Sequence, residues 1–227
     1  MSRYFLEISY KGTAYSGFQV QANANSIQAE IEKAFSVYFR QPVAMTGASR
    51  TDAGVHARQN YFHFDFGEGI LPQALYPLNA ILPEDICIRA ILKVAPEAHC
   101  RFDAESREYR YYIYGEKDPF LQDRAYYYPY PLEWELMQAA AARIKEMEDF
   151  EGFCKRNSQV KHYRCRIFES GWEKEGDCLV YRIRANRFLR GMVRGLTGTM
   201  LLVGRGHIAL VEFDRIAAEK YSSKVNF

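Results

Sequence analysis

Hydrophobic and polar residues alternate at the start of the chain, and this alternation predicts a β-strand over residues 3–10. A glycine-containing loop follows, after which apolar residues recur at helical spacing from Ile27 to Tyr38, with Asn25 or Ser26 as the N-cap. Alternation returns over residues 59–66. A proline-punctuated segment over 70–83 then precedes a further strand over 86–94. The first half of the chain therefore mixes strands with helices.

The second half has the same mixture. Residues 107–115 predict a strand, 131–148 a helix, and 165–185 a hairpin that turns around Glu175, Gly176 and Asp177. A helix is expected from Phe188 through Val203, and a short one over 208–219. Mixed elements with hairpin spacing favour an α+β fold of two similar halves, each an antiparallel sheet flanked by helices, over a doubly wound parallel sheet. We place the halves at 1–105 and 106–227, with the active-site cleft between them.

Composition excludes several classes of protein. Hydrophobic residues make up 48% and charged residues 26% of the 227 positions, which is enough for a folded core. No apolar run is long enough for a transmembrane helix, and the N-terminus does not resemble a signal peptide. The five cysteines form no CxxC pair, and the five histidines lie apart. We therefore expect a cytoplasmic protein with reduced thiols, no structural disulfide and no metal.

Basic residues are concentrated in the second half, although the net charge is only +2. Residues 152–168 hold five Lys or Arg and no acid, and residues 178–211 hold six Arg and no acid. Such stretches favour a polyanion as partner; the alternative is a solvated surface whose acids lie elsewhere in the chain. Many of the 17 tyrosines flank basic positions, which suits base stacking but is also ordinary strand composition.

One polar segment, Ala48 to Ala57 (ASRTDAGVHA), lies between a predicted helix and a predicted strand. Asp52 lies close to Arg50, and a nearby guanidinium favours the ionised carboxylate. An ionised carboxylate suits a nucleophile or a group that stabilises a cationic sugar centre. The alternative is that Asp52 is only a turn or cap residue. His56 either hydrogen-bonds this loop or has a minor role in a site.

The string RTDAGVHA resembles the signature of the TruA family of tRNA pseudouridine synthases. Three further stretches agree with the family in the same order, over residues 10–19, 102–111 and 184–194. The similarity extends over residues 3 to 207, which is nearly the whole chain. The sequence departs from the family pattern at Phe18, where Trp is usual. It also ends at residues 222–227 without the family's final strand, a difference that bears on the sheet edge and on dimer contacts.

The resemblance implies a role for each matching residue. Asp52 would be the catalytic aspartate, paired with Arg194, and Arg50 would enter the base stack or hold the flipped nucleotide. Tyr109 would stack on the flipped uracil and help to remove its C5 proton. Phe188 would shape the pocket. From the residues alone, Tyr109 could equally be a core strand residue, Arg194 a phosphate contact, and Phe188 and its neighbour Asn186 the packing of a helix start.

The resemblance also implies the reaction and the partners. The expected activity is isomerisation of uridine to pseudouridine at positions 38 to 40 of the tRNA anticodon stem-loop, by a homodimer and without a cofactor. Two competing hypotheses are a non-catalytic RNA-binding module and an N-glycoside hydrolase that uses Asp52. An RNA-binding module gives no reason for the RTDAG loop. A hydrolase of small N-glycosides gives little reason for the arginine-rich stretches.

Overall fold

The computed structural model describes residues 1–67, 69–155, 160–219 and 225. It divides into two compact units, Met1–Ala104 and Glu105–Phe227. Each unit has a four-stranded sheet with helices. The α+β class is therefore confirmed, whereas the cleft expected between the two halves stays a prediction. None of the helices within the described ranges is long and apolar enough to cross a membrane.

The N-terminal unit is built around one antiparallel sheet in the order β2-β3-β1-β4. Its elements are β1 (Ser2–Tyr10), α1 (Ile27–Phe39), β2 (Thr46–Gly47), β3 (Ala57–Phe66), α2 (Leu75–Ile81), which a short 3-10 turn (Pro72–Ala74) precedes, and β4 (Ile86–Val94). Strand β1 lies inside the sheet because it pairs with both β3 and β4, and its alternate side chains, Tyr4, Leu6, Ile8 and Tyr10, are all buried. They pack in one core with the apolar face of α1.

The two ends of helix α1 are set by a capping side chain at the start and by a left-handed backbone conformation at the end. Of the two candidate caps, Ser26 is the N-cap, and its hydroxyl accepts a hydrogen bond from the Ala29 amide at 3.3 Å. Arg40 then adopts a left-handed conformation with φ of 55°, which a right-handed helix cannot continue through. Ile31 and Phe35 lie on the buried face. Capping and amphipathic burial together therefore fix the helix that follows the first loop.

The C-terminal unit has a sheet in the order β6-β5-β8-β7. Its elements are β5 (Arg107–Tyr114), β6 (Tyr126–Tyr127), α3 (Trp134–Glu146), a 3-10 turn (Glu151–Phe153), β7 (Ile167–Glu175), β8 (Cys178–Ala185), α4 (Met192–Gly204) and α5 (Leu210–Glu219). The predicted hairpin is present, since Glu175 pairs with Cys178 across a turn in which Gly176 has φ of 57°. All pairings are antiparallel except the short parallel one between β5 and β6.

The two long helices of this unit are shorter than the sequence predicts. Helix α3 occupies 134–146 within the predicted 131–148, and α4 begins at Met192 instead of Phe188. The late start of α4 has a backbone cause, because Gly191 is left-handed with φ of 73° and the Met192 amide bonds to the Leu189 carbonyl in a preceding turn. The residues from Arg187 to Leu189 therefore form a connection between β8 and α4 that presents Phe188 outside the helix.

Loss of the Ser26 cap should destabilise the N-terminal unit. In the Ser26→Ala chain the Ala29 amide loses its buried partner, so we expect the free energy of unfolding to fall by about 1 kcal/mol in a urea titration. Ser36→Ala, inside the same helix, is the matched control and should be neutral or slightly stabilising, because alanine has the higher helix propensity. Equal free energies of unfolding for the two variants would contradict the cap assignment.

Candidate active site

Asp52 lies at the first position of a tight turn in the loop between β2 and β3. The Ala48 amide still bonds to the Tyr61 carbonyl at 2.8 Å, after which the chain leaves the sheet. The Val55 amide then donates to the Asp52 carbonyl at 3.2 Å, and Gly54 has φ of 77°, a conformation that favours glycine. The side chain of Asp52 is exposed. The turn that the sequence offered as an alternative to catalysis is therefore real, and it presents the carboxylate to solvent.

The loop that follows β1 fixes the backbone beside Asp52. The Phe18 amide donates to the Thr51 carbonyl at 3.1 Å, and the Thr51 hydroxyl shares a 2.8 Å hydrogen bond with the Tyr10 hydroxyl. Burial raises the pKa of Tyr10, so this phenol stays neutral. On the far side of the turn, Nδ1 of His56 accepts a hydrogen bond from the Gly12 amide at 2.9 Å. The backbone is thus held on both sides of an exposed carboxylate.

This close approach of two loops requires glycine at Gly12. A Cβ atom at this position would lie inside contact distance of the Val55 carbonyl oxygen, which belongs to rigid backbone. Gly47 similarly gives room to the ring of Phe18, which stacks on Phe62 with centroids 4.7 Å apart. Phe18, the residue that departs from the family's usual Trp, is therefore a buried apolar anchor of the loop.

His56 and Arg50 differ in their burial and in their contacts. His56 is half-buried and hydrogen-bonds the neighbouring loop, the first of the two roles that the sequence left open. Arg50 is exposed, two residues before Asp52. Within the N-terminal unit no salt bridge joins Arg50 to Asp52, and the effect of Arg50 on that carboxylate stays a prediction.

Tyr109 and Phe188 are brought together in the C-terminal unit. Tyr109 lies on β5 opposite Ile183 and is half-buried against the unit's core. Its ring and that of Phe188 are nearly perpendicular, with centroids 4.9 Å apart and an interplanar angle of 87°. The connection that carries Phe188 is held by Asn186, whose side-chain oxygen accepts a hydrogen bond from the Arg166 amide at 2.8 Å. Asn186 therefore helps to position Phe188, the residue that contacts the ring of Tyr109.

Arg194 is the third residue of α4, at the end of the helix where a cation is least favoured. The helix N-terminus carries a partial positive charge, and the N-cap Gly191 provides no side-chain acceptor. Arg194 is half-buried and lies near Tyr111, where it lowers the pKa of that phenol against the larger raising effect of burial. A guanidinium and a helix N-terminus at one place form a favourable position for an anion.

The five predicted site residues thus fall into two groups. Asp52 and Arg50 belong to the N-terminal unit, and Tyr109, Phe188 and Arg194 belong to the C-terminal unit. The pairing of Asp52 with Arg194 stays a prediction. Sequence reasoning missed the holding roles of Tyr10 and Thr51. Tyr10 was expected on one face of the first strand, but nothing in the pattern indicated which side chain its hydroxyl would meet.

Part of the second basic stretch is neutralised within the sheet. Arg182 lies 2.8 Å from Glu108 and 3.2 Å from Glu169, and Arg184 lies 2.6 Å from Glu169. The hydrogen bond with Arg182 lowers the pKa of Glu108, and Arg110 on the same strand lowers it further. The acids that the stretch lacks are therefore supplied by β5 and β7, so for Arg182 and Arg184 the structure shows the alternative in which the acids lie elsewhere in the chain. Arg156, from the first stretch, lies outside the described residues.

No group of three His, Cys, Asp or Glu side chains suited to a metal ion is found in the described parts of the chain, and all five cysteines are free thiols. Cys165 is buried, and burial raises its pKa to about 11. A thiol with a raised pKa is a poor nucleophile at neutral pH. The exposed carboxylate of Asp52 is therefore the stronger candidate for chemistry.

Comparison with known proteins gives one consistent result. Residues 147–227 match a family model described as tRNA pseudouridine synthase. Over 222 residues, 97% of this chain and 88% of the relative, the chain is 44% identical to tRNA pseudouridine synthase A of Parabacteroides distasonis. It is 40% identical to the protein of the same name from Bacteroides fragilis, with 99% of this chain and 90% of the relative covered. For the Staphylococcus aureus MRSA252 protein of that name the identity is 33%, with 99% and 86% covered.

A methyl group at Gly12 should disturb the contact between the two loops. Because a Cβ there would meet the Val55 carbonyl, we expect Gly12→Ala to lower the free energy of unfolding by roughly 1–3 kcal/mol in a urea titration. Gly67→Ala is the control, since a Cβ at Gly67 meets nothing within 4 Å. An unchanged unfolding midpoint for Gly12→Ala would show that the loops do not pack as described.

Proposed function

The chain belongs to the tRNA pseudouridine synthase A family, and on that premise we propose that it converts uridine to pseudouridine at positions 38 to 40 of the tRNA anticodon stem-loop. Family membership makes it an isomerase that acts on tRNA. The finer proposal concerns the target positions, the residues and the assembly. The observation that carries it is the exposed carboxylate of Asp52 on a backbone fixed by Phe18 and Tyr10.

The reaction needs few groups from the protein. The bond between N1 of uracil and C1′ of the ribose breaks, the uracil turns, C5 bonds to C1′, and the C5 proton leaves while N1 gains a proton. The atoms balance without an oxidant or reductant. The Asp52 carboxylate acts by attack on the sugar or base, or by removing a proton from the sugar. Because the backbone of Asp52 is already fixed by its turn, less freedom is lost when the substrate arrives, which favours any of these steps.

The uridine has to leave the base stack before Asp52 can reach it. Neither C1′ nor C5 is accessible inside a stacked stem, so the nucleotide is extruded at the cost of unstacking. Arg50 holds the flipped nucleotide or fills its place in the stack, for which an exposed guanidinium next to the turn is suited. The half-buried ring of Tyr109, which Phe188 contacts at nearly a right angle, provides a stacking surface for the uracil.

Arg194 completes the proposed site as the partner of Asp52. Its position in the first turn of α4 is unfavourable for the helix by about 0.3–1 kcal/mol unless an anion compensates. A carboxylate is such an anion, and a hydrogen-bonded guanidinium keeps the carboxylate ionised and oriented. The proposed assembly is a homodimer, in which the modest positive charge of one chain adds to that of its partner along the tRNA.

Replacing Asp52 should separate catalysis from binding. Asp52→Asn keeps the size of the side chain but removes its charge, so we expect tritium release from C5-labelled tRNA to fall at least about a hundredfold. Filter binding should show an affinity for tRNA close to that of the unmutated chain. Asp65→Asn, which removes an exposed carboxylate paired with Arg3 in the same unit, is the control and should release tritium normally.

The outcome of this experiment also decides between the competing functions. Undiminished release by Asp52→Asn would refute the assignment of Asp52. Tight tRNA binding with no release by the unmutated chain would favour a non-catalytic RNA-binding module. Free uracil among the products, separated by chromatography, would favour an N-glycoside hydrolase. Mapping of pseudouridine on unmodified tRNAs would test positions 38 to 40 directly.

The two proposed roles of Tyr109 can be separated by removing its hydroxyl alone. In Tyr109→Phe the ring is kept for stacking, so we expect unchanged tRNA affinity and a release of tritium slowed roughly a hundredfold, because a proton-transfer group is lost. Tyr112→Phe is the control, since Tyr112 lies on the opposite face of β5 with its hydroxyl toward Glu175. Tritium release by Tyr109→Phe at the rate of the unmutated chain would show that the hydroxyl is not needed and would leave stacking by the ring as the only role of Tyr109.

A further inference from the structure

A row of tyrosine rings on the C-terminal unit has no part in the proposed chemistry. The ring centroids of Tyr111 and Tyr126 are 6.4 Å apart, those of Tyr126 and Tyr128 are 5.9 Å apart, and those of Tyr128 and Tyr130 are 5.2 Å apart. We call these four residues the tyrosine row. Tyr126 is 50% and Tyr130 49% exposed. Single exposed aromatic residues are common on proteins, but a continuous series of rings is a surface in its own right.

The row follows from the pairing of β6 with β5. Tyr126 lies opposite Ile113 in the parallel pair, and the Tyr128 amide donates to the Tyr114 carbonyl at 2.8 Å, so the extended conformation continues past the strand. Side chains alternate along an extended chain, and Tyr127 accordingly turns away and contacts Tyr114. Tyr130 lies between Pro129 and Pro131, and a residue before proline is restricted to extended conformations.

Arginines from helix α4 lie at the two ends of the row. Tyr111 is near enough to Arg194 for that guanidinium to act on its hydroxyl. At the other end, the guanidinium of Arg205 lies over the ring of Tyr130, 4.0 Å from its centroid. Eleven residues of helix separate the two arginines, a rise of about 16 Å. The row therefore runs alongside α4, from a residue of the proposed active site to a second cation.

We propose that the tyrosine row is a stacking surface for unpaired nucleotides of the RNA substrate, continuing from the active site toward Arg205. The inference rests on the proposed function, because Arg194 marks where the row meets the site. Aromatic rings stack on bases of any sequence, and an adjacent arginine contacts the phosphates or the bases. A cavity of about 150 Å³ beside Tyr128 and Tyr130 is lined in part by Asp177, whose carboxylate can accept hydrogen bonds from a base's amino group.

A second copy of the chain fits this surface less well than RNA does. In a twofold interface the same patch meets itself, so the arginine ends of one row would face the arginine ends of the other. Like charges at close range oppose association. Phosphates carry the opposite charge, and their binding to arginine releases counterions. At the two arginine ends of the row, charge therefore favours a nucleic acid as the occupant.

The test removes the two exposed rings together. For the double variant Tyr126→Ala, Tyr130→Ala, we expect the Kd for unmodified tRNA, measured by filter binding at one fixed salt concentration, to rise roughly tenfold or more. The double phenylalanine variant keeps the π-faces and should bind like the unmutated chain. Tyr127→Ala, an equally exposed tyrosine of the same strand turned the other way, should also leave the Kd unchanged. Leucine at both positions replaces alanine if alanine lowers the thermal midpoint.

Two results would overturn the proposal. One is a Kd for the double alanine or leucine variant equal to that of the unmutated chain. The other is a change in its molar mass by light scattering, which would identify the row as a contact between copies. Failure of the proposed function gives a different result, since an unmutated chain that binds tRNA but releases no tritium would refute the isomerase while the Kd comparison still decides the row.

Discussion

The hydrogen bonds around Thr51 fix the backbone on which the proposed chemistry depends. Its carbonyl accepts from the Phe18 amide, and its hydroxyl pairs with the buried phenol of Tyr10. An exposed carboxylate on a mobile loop would lose much of its effectiveness, because each rotation that must be frozen on binding costs free energy. Here the sheet, through β1 and the loop that follows it, holds the turn while Asp52 itself remains accessible. Rigidity and exposure are thus combined at one residue.

The arginines of the C-terminal unit serve different purposes according to the face on which they lie. Arg182 and Arg184 meet Glu108 and Glu169 across the strands, so their charges are largely neutralised by the sheet. Arg194 lies in the first turn of α4, close enough to Tyr111 to act on its hydroxyl, and Arg205 follows the last residue of α4 and lies over the ring of Tyr130. Cations beside aromatic faces suit an RNA strand, whereas paired cations mainly stabilise the sheet. Four of the six arginines that are close together in the sequence therefore form two separate groups in the folded chain.

Local signals were enough to predict most of the elements. The alternation of β1, the amphipathic pattern of α1 and the turn at Gly176 are confirmed because each depends on residues close in sequence. The start of α4 was predicted four residues too early, since the apolar spacing beginning at Phe188 continues through a turn that only the backbone of Gly191 reveals. Hydrophobic spacing indicates which face is buried but contains no information about φ.

The sequence by itself determined the fold class, the family and the segment that presents Asp52, because these follow from periodicity and from a motif of contiguous residues. Only the tertiary structure decided that Tyr10, Gly12 and Phe18 hold this segment, that Glu108 and Glu169 neutralise part of the basic stretch, and that four tyrosines from two separated segments form one row. The physical reason is the same in each case. Hydrogen bonds, ion pairs and ring contacts act over a few ångströms, and only strand pairing and the packing of loops against each other bring residues so far apart in sequence within that range.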